Sequence, residues 1–543
     1  MLKRLLVLGV LLGLLQGYGL SQGLEQPIVV TQIPLPDPET VPAPLSETER
    51  SRFGEKARIV LVSSGGDARV LTEGFASAVD PNVSFDGKRM LFAGKRRPED
   101  QWNIFEMALD GSDARQITRD VGNCRSPVYQ STFYTIVSPE PWYQITFVSD
   151  APGEINEQGD LLSTSLYSCR MDGSEVRRLT FNPSNDFDPH VMPDGRVLYS
   201  SWQRSLLSHG VHGRVSLFSV NSDGTDVAIF SGTEGKRIKQ MPCVTTQGLC
   251  VFVESDTTSW DGSGRLAALK MRRNLHSHQT IGTPRGTLFH SPSPLPDGDL
   301  LASGRPQDNT GSHAVYRVDP VTGETSMLYD APGYHDIQAQ LAASRPIPDG
   351  RSSIVNEADP NGQLYVLDYS ISDTPDLTLD IVRRIRVLEG LPEVRNKTNS
   401  DLSDSSRPGP SSESPFTAKR LLGEVPVETD GSVFVEVPAN IPIQLQLVDS
   451  DGMALRTCGW IWVKNREPRG CIGCHEDGEL TPPNRLVSAV EKPPYNLTLP
   501  PHRRRTVDFR RDVFPLVGSK CSTAACHASE GSGPVLIEPD GTP

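Results

Sequence analysis

The chain has 543 residues, more than one hydrophobic core organises, so several domains are expected. A 36% hydrophobic content with 47 Gly and 45 Pro points to many short elements joined by turns, an all-β profile rather than a helical one. The formal net charge of −14 excludes a broad basic footprint, and with it general binding to nucleic acid or to an anionic membrane surface.

Residues 1–22 read as a secretory signal: Lys3 and Arg4 precede an apolar run from Leu5 to Leu15, and small residues follow at Gly19 and Ser21. The run is shorter than the roughly 20 residues a membrane helix needs, so no span is expected in a mature chain that is secreted or periplasmic. Residues 23–56, rich in Pro, Thr and Glu, read as an extended leader.

From 57 to 385 a unit recurs in which an Asp-Gly turn separates short β-rich runs. Copies start at Asp80-Pro81 with its turn at Asp86-Gly87, at Asp188-Pro189 with Asp194-Gly195, at Ser291-Pro292 with Asp297-Gly298, and at Ser344 with Asp349-Gly350. A second turn recurs at Asp110-Gly111, Asp172-Gly173 and Asp223-Gly224. A small sheet repeated at this spacing cannot bury its faces alone, so the copies are expected to pack around an axis as a β-propeller. Units near 78–118, 125–180, 181–230, 235–273, 289–330 and 335–373 give six blades, with Arg58–Thr72 closing the ring; degenerate second and fourth copies leave seven open. The unit holds His190, His209, His212, His276, His278, His290, His313 and His335, so a metal at the axial mouth is one reading and surface or turn histidines the other. Cys243 and Cys250 flank a short turn and could close a hairpin by a disulfide, while Cys124, Cys169 and Cys458 have no assigned pairing.

Residues 386–416 are polar and Ser-rich and read as a disordered linker. Residues 417–500 alternate like strands of a small β-sandwich and contain Cys471-Ile-Gly-Cys474-His475. Two thiols at this spacing can bond the two vinyl groups of a haem, and the following imidazole can ligate its iron. Residues 501–543 carry a wider version, Cys521-Ser-Thr-Ala-Ala-Cys526-His527, giving a second candidate site in a short, partly helical cytochrome c-like segment that another domain or subunit, or further chain, would complete. The competing reading of Cys471, Cys474, Cys521 and Cys526 is a four-cysteine zinc site. No Met follows Met453, which leaves His502 as the candidate distal ligand and Arg503, Arg504 and Arg505 as candidate partners of haem propionates.

Asn103–Thr118 and Ser168–Thr180 resemble the TolB-like propeller repeat of secreted bacterial proteins. Asp512–Val517 is similar to the approach helix of small bacterial haem domains, and the Cys521–His527 run resembles the wide haem sites of exported planctomycete-type cytochromes. The order of propeller, then Gly423–Ala439, then Cys471–His475 resembles the hydrazine synthase alpha-subunit family from about residue 57 to 480. That resemblance implies a six-bladed propeller, a middle domain with one c-type haem and a C-terminal domain with another. In the family's active site a Tyr shortly after the motif His ligates iron; here Glu479 stands at that place. The expected function is an exported haem c electron-transfer protein with a propeller as docking platform, working with a redox partner or other subunits of a multihaem complex. The alternatives are a multihaem oxidoreductase acting on a small nitrogen compound, and a non-redox binding protein with structural zinc.

Overall fold

The computed structural model describes residues 25–35, 54–135, 138, 140–159, 161–204, 209–210, 212–372, 381–394, 417–474, 481–506 and 513–521. The chain is mainly β. Short runs of β-branched and aromatic residues between Asp-Gly turns favour hairpins, and they fold into successive four-stranded antiparallel meanders. The first comprises Ser77–Val83, Arg89–Lys95, Asn103–Ala108 and Arg115–Gln116. Later ones begin at Cys124–Thr135, Asn185–Val191, Ile238–Val244 and Thr287–Pro294. The last is composite: Tyr334–Leu341 pairs with Ile28–Pro34, which pairs with Arg58–Val62 and through it with Ala68–Val70. The first strand of each sheet touches that of the next, and Tyr334–Leu341 touches Ser77–Val83, so the sheets close into a ring.

Every one of these inner strands carries a β-bulge. Asp80, Ser126, Asp188, Met241, Ser291 and Gln338 have left-handed φ between 46° and 56°, each where the strand register shifts. A proline follows five of them, Pro81, Pro127, Pro189, Pro242 and Pro292, as suits a position with no ladder partner for an N–H. The strained bulge residue donates its freed N–H to a side chain of the preceding sheet. Asp80 N–H bonds Gln338 Oε1 at 2.9 Å, Ser126 N–H bonds Asp80 Oδ2 at 2.9 Å and Met241 N–H bonds Asp188 Oδ2 at 3.0 Å. A second tier lies one step along: Asn82, His190 and Gln340 accept from the N–H groups of Tyr129, Val244 and Val83. His190 therefore serves as a neutral acceptor between sheets rather than as a metal ligand, and burial pushes its imidazole down to about 3.

Several sequence expectations change. Ile28–Pro34 is a buried strand and not leader, because Val29 and Val30 fill the cores on either side of the closing sheet. That strand and Arg58–Val62 take the ladder positions which the copy at Ser344 was expected to fill. Arg351–Ser353 instead runs parallel to Cys124–Thr135, and Asn361–Val366 leaves the ring to pair with Val433–Pro438. Cys243 and Cys250 cannot bridge: Cys243 opposes Val251 and Cys250 opposes Val244, so a one-residue offset sends their thiols into cores on opposite faces of the sheet.

The second body is a sandwich. One sheet orders Pro468–Cys471, Asn361–Val366, Val433–Pro438 and Tyr495–Asn496; the other orders Ala454–Thr457, Ile443–Val448, Arg384–Leu391, Ala418–Pro426 and Arg505–Thr506. Leu364, Val387, Val435, Val437, Ile443 and Leu447 form the core between them, each burial contributing roughly 1.5–3 kcal/mol. Arg384–Leu391 sits centrally, so a boundary at 385 and a linker starting at 386 would divide a strand whose Ile385, Val387 and Glu389 point inward. No helix among the described residues is long and apolar enough to cross a membrane.

Candidate functional site

Cys471 and Cys474 lie where the sandwich meets the ring. Pro468–Cys471 runs parallel to Asn361–Val366, with Cys471 opposite Val366. Past the strand, the turn is fastened to the next stretch of the same neighbour: Leu367 N–H bonds Cys471 O at 2.9 Å, Asp368 N–H bonds Ile472 O at 3.0 Å, and Cys474 N–H bonds Ile371 O at 2.7 Å. Gly473 makes this approach feasible, since a Cβ there would lie 2.1 Å from Ile371 O. Both thiols pack against the sandwich core yet remain partly exposed, and neither is in a disulfide. Burial pushes the Cys474 thiol upward, against the opposing Arg456 charge. Cys458, whose sulfur accepts the Leu445 N–H at 3.1 Å, is pushed up to about 12 by burial, with the thiols of Cys474 and Cys471 close enough to add to the shift.

The segment leading into the turn is anchored on the ring. Trp462 is buried among Leu166, Tyr199, Val220 and Val227 of the ring, and its Nε1–H bonds Gly224 O at 3.1 Å. Trp460 Nε1–H donates to buried Glu157 at 2.9 Å. Glu467 accepts the Asp226 N–H at 2.7 Å, and Lys464, lowered to about 8 by burial, donates to Arg178 O at 2.9 Å. Sequence reasoning missed this clamp; the signal was Trp460-Ile-Trp462, two large apolar side chains on one face of a run that was assigned to the sandwich alone.

The remaining expected residues are not gathered here. His475, Cys526, His527 and Glu479 lie outside the described residues. Cys521 is exposed at the end of helix Phe514–Lys520, its N–H bonded to Val517 O. His502 is exposed in the short turn Pro501–Arg503. Arg504 is committed elsewhere: it donates to both oxygens of Glu389, at 2.9 and 2.8 Å, and to Leu499 O, which removes it from the candidates for haem propionates. The thiol pair suits a covalently attached haem. Its two sulfurs are unbridged, partly open to a ligand, and held on a turn whose backbone is fixed independently of them.

Comparison with known proteins places this geometry. The profile of the hydrazine synthase alpha subunit middle domain matches residues 381–476, the part of the sandwich that ends at the Cys471–His475 motif. The hydrazine synthase subunit alpha of Kuenenia stuttgartiensis is 25% identical, the match covering 90% of this chain and 78% of that one. The solved Kuenenia stuttgartiensis hydrazine synthase superposes with a TM-score of 0.77 at 23% identity, over 94% of this chain and 82% of that chain. TolB of Acinetobacter baumannii matches over 58% of this chain and 66% of its own, at 12% identity and a TM-score of 0.40. The chain is thus similar to the hydrazine synthase alpha subunit over most of its length, ring and sandwich together.

Proposed function

We propose that this protein is an exported, haem c-dependent redox protein of the hydrazine synthase alpha type, built on a six-bladed propeller. Cys471 and Cys474 would add across the two haem vinyl groups, each S–H giving a thioether without loss of atoms, and His475 would supply an axial nitrogen. The bound group would supply one-electron redox chemistry. The chain's own part is positional: the bonds from Leu367, Asp368 and Cys474 fix the turn, and Trp460 and Trp462 fix the turn's strand to the ring. The observation that carries the reading is this pinned, unbridged thiol pair inside the segment that matches the alpha-subunit middle domain. Similarity to a hydrazine synthase subunit favours oxidoreductase chemistry on a small nitrogen compound, within an assembly of further subunits. Glu479 at the place of the family's Tyr favours a second reading, an electron carrier. Cys521, Cys526 and His527 would hold a second haem.

Expression in a host with haem-maturation machinery, followed by a pyridine haemochrome spectrum, tests the proposal. Covalent haem is expected, falling by one equivalent in the Cys471→Ser/Cys474→Ser variant; absence of covalent haem in the parent overturns it. A high-spin ferric spectrum identifies the oxidoreductase and a low-spin one the carrier.

A further inference from the structure

The ring holds a cluster of titratable side chains that the proposed redox function does not use. Asp261 lies in the loop between Leu249–Ser255 and Arg265–Lys270, His313 just before Ala314–Val318, and His335 in Tyr334–Leu341, so three successive sheets contribute. Asp261 and His313 are fully buried and His335 is 6% exposed. Asp261 Oδ2 accepts from Arg305 Nε, from Ser263 Oγ at 2.7 Å and from His313 Nε2 at 2.9 Å. The Ser263 hydroxyl directs its only hydrogen to Asp261, so the hydrogen between His313 and Asp261 belongs to His313 Nε2. In a neutral ring that leaves His313 Nδ1 as a lone pair. This nitrogen faces His335 Nδ1 at 3.1 Å, and His335 Nδ1 also receives the backbone N–H of His313 at 3.3 Å, which makes it an acceptor as well. Two lone pairs therefore point at each other across a gap closed to water.

A cation between them resolves this arrangement. Nitrogens 3.1 Å apart, with metal–nitrogen bonds of about 2.0–2.1 Å, subtend roughly 95–100° at an ion, the angle of a neighbouring pair in four-coordinate geometry. Asp261 then plays the part of the outer carboxylate that fixes a ligating ring, and Arg305 and Ser263 fix Asp261 in turn. Trp260 packs against both rings, its centroid 5.2 Å from His335 and 6.0 Å from His313. We infer that His313 Nδ1 and His335 Nδ1 form a two-nitrogen site for a divalent late-transition-metal ion such as Zn²⁺, held between the last two sheets of the ring. No third ligating side chain gathers with them among the described residues, so water completes the shell. The site belongs to residues 22 positions apart, unlike the close pairs His209/His212 and His276/His278, of which His278 instead bonds Glu254 at 2.9 Å.

The full-length holoprotein, stripped with a chelator and dialysed against micromolar Zn²⁺, is expected to retain one zinc per chain by elemental analysis. His335→Gln and His313→Gln should each weaken retention at least tenfold, and Asp261→Asn by about 10- to 100-fold. His335→Gln, at the rim of the cluster, should leave the melting temperature of the zinc-free protein unchanged. The Cys471→Ser/Cys474→Ser variant should keep the zinc, and X-ray absorption should show a first shell of nitrogen and oxygen only. Undiminished zinc in His335→Gln, loss of zinc with the cysteines, or sulfur in the first shell overturns the inference. So does a wild type that takes no zinc and whose imidazole ¹⁵N signals show a proton shared by the two rings.

Discussion

The ring and the sandwich bury their sheets by different means. In the ring each sheet is covered by its neighbours, so the core is divided into repeated clusters, and the axis is laced by side chains of one sheet bonding the backbone of the next. In the sandwich two sheets share one core, and a short strand at its edge carries the thiols. Repetition yields a scaffold in which every position is matched by an equivalent in the other sheets. The non-repeated sandwich is where an unmatched chemical group, the Cys471–Cys474 turn, could be added. Trp462 belongs to both, since it comes from the sandwich segment but lies in a ring core.

Breaking that shared residue should have the largest effect. Trp462→Ala removes a buried indole and should cost about 3–5 kcal/mol. Calorimetry should then show separate transitions for ring and sandwich; a single transition at the original temperature would show that the plug does not join them.

Asp80→Ala tests the ring alone. It leaves Arg125 without its 2.7 Å partner and the Ser126 N–H without an acceptor, at a cost of about 3–5 kcal/mol. Hydrogen exchange should accelerate at the inner strands of the ring and not in the sandwich.

Asp186 sharpens the comparison by pH. Burial raises its carboxyl to about 6, Oδ1 accepts from Asn182 and Ser201, and Oδ2 has no hydrogen-bond partner. A folded pKa above the unfolded value of about 3.9 favours folding fully below about pH 4. The advantage fades as pH rises through about 6, a span of about 3 kcal/mol at most. Asp186→Asn should therefore melt higher than the parent at pH 8 and no higher at pH 4; a difference independent of pH contradicts the burial account.

The smallest effect is expected at Gly473→Ala in the sandwich, where the added Cβ must push Ile371 O aside for about 1–3 kcal/mol. Haem incorporated per chain should fall with little change in the ring's melting.

The repeating sheets were legible because period-two alternation and Asp-Gly turns are local. The bulges were legible too, in the Asp80-Pro81, Asp188-Pro189 and Ser291-Pro292 pairs, although their role as inter-sheet bonds was not. Ser126-Pro127 and Met241-Pro242 mark the two copies that looked degenerate. The copy at Asp349-Gly350 misled because a turn signal specifies a reversal of chain, not the sheet that receives the strand. In the site, the two thiols and their spacing could be read directly, whereas the neighbour that pins them, Leu367–Ile371, lies about a hundred residues earlier and has no motif.

By itself the sequence determined the local chemistry of this protein: sheets from alternation, turns from Asp-Gly, a thiol pair poised for covalent attachment. The tertiary structure alone decided which distant residues meet. It placed Ile28–Pro34 in the last sheet, set Cys471 beside Val366, and brought His313 to His335, because strand pairing and core packing are settled by which surfaces bury one another.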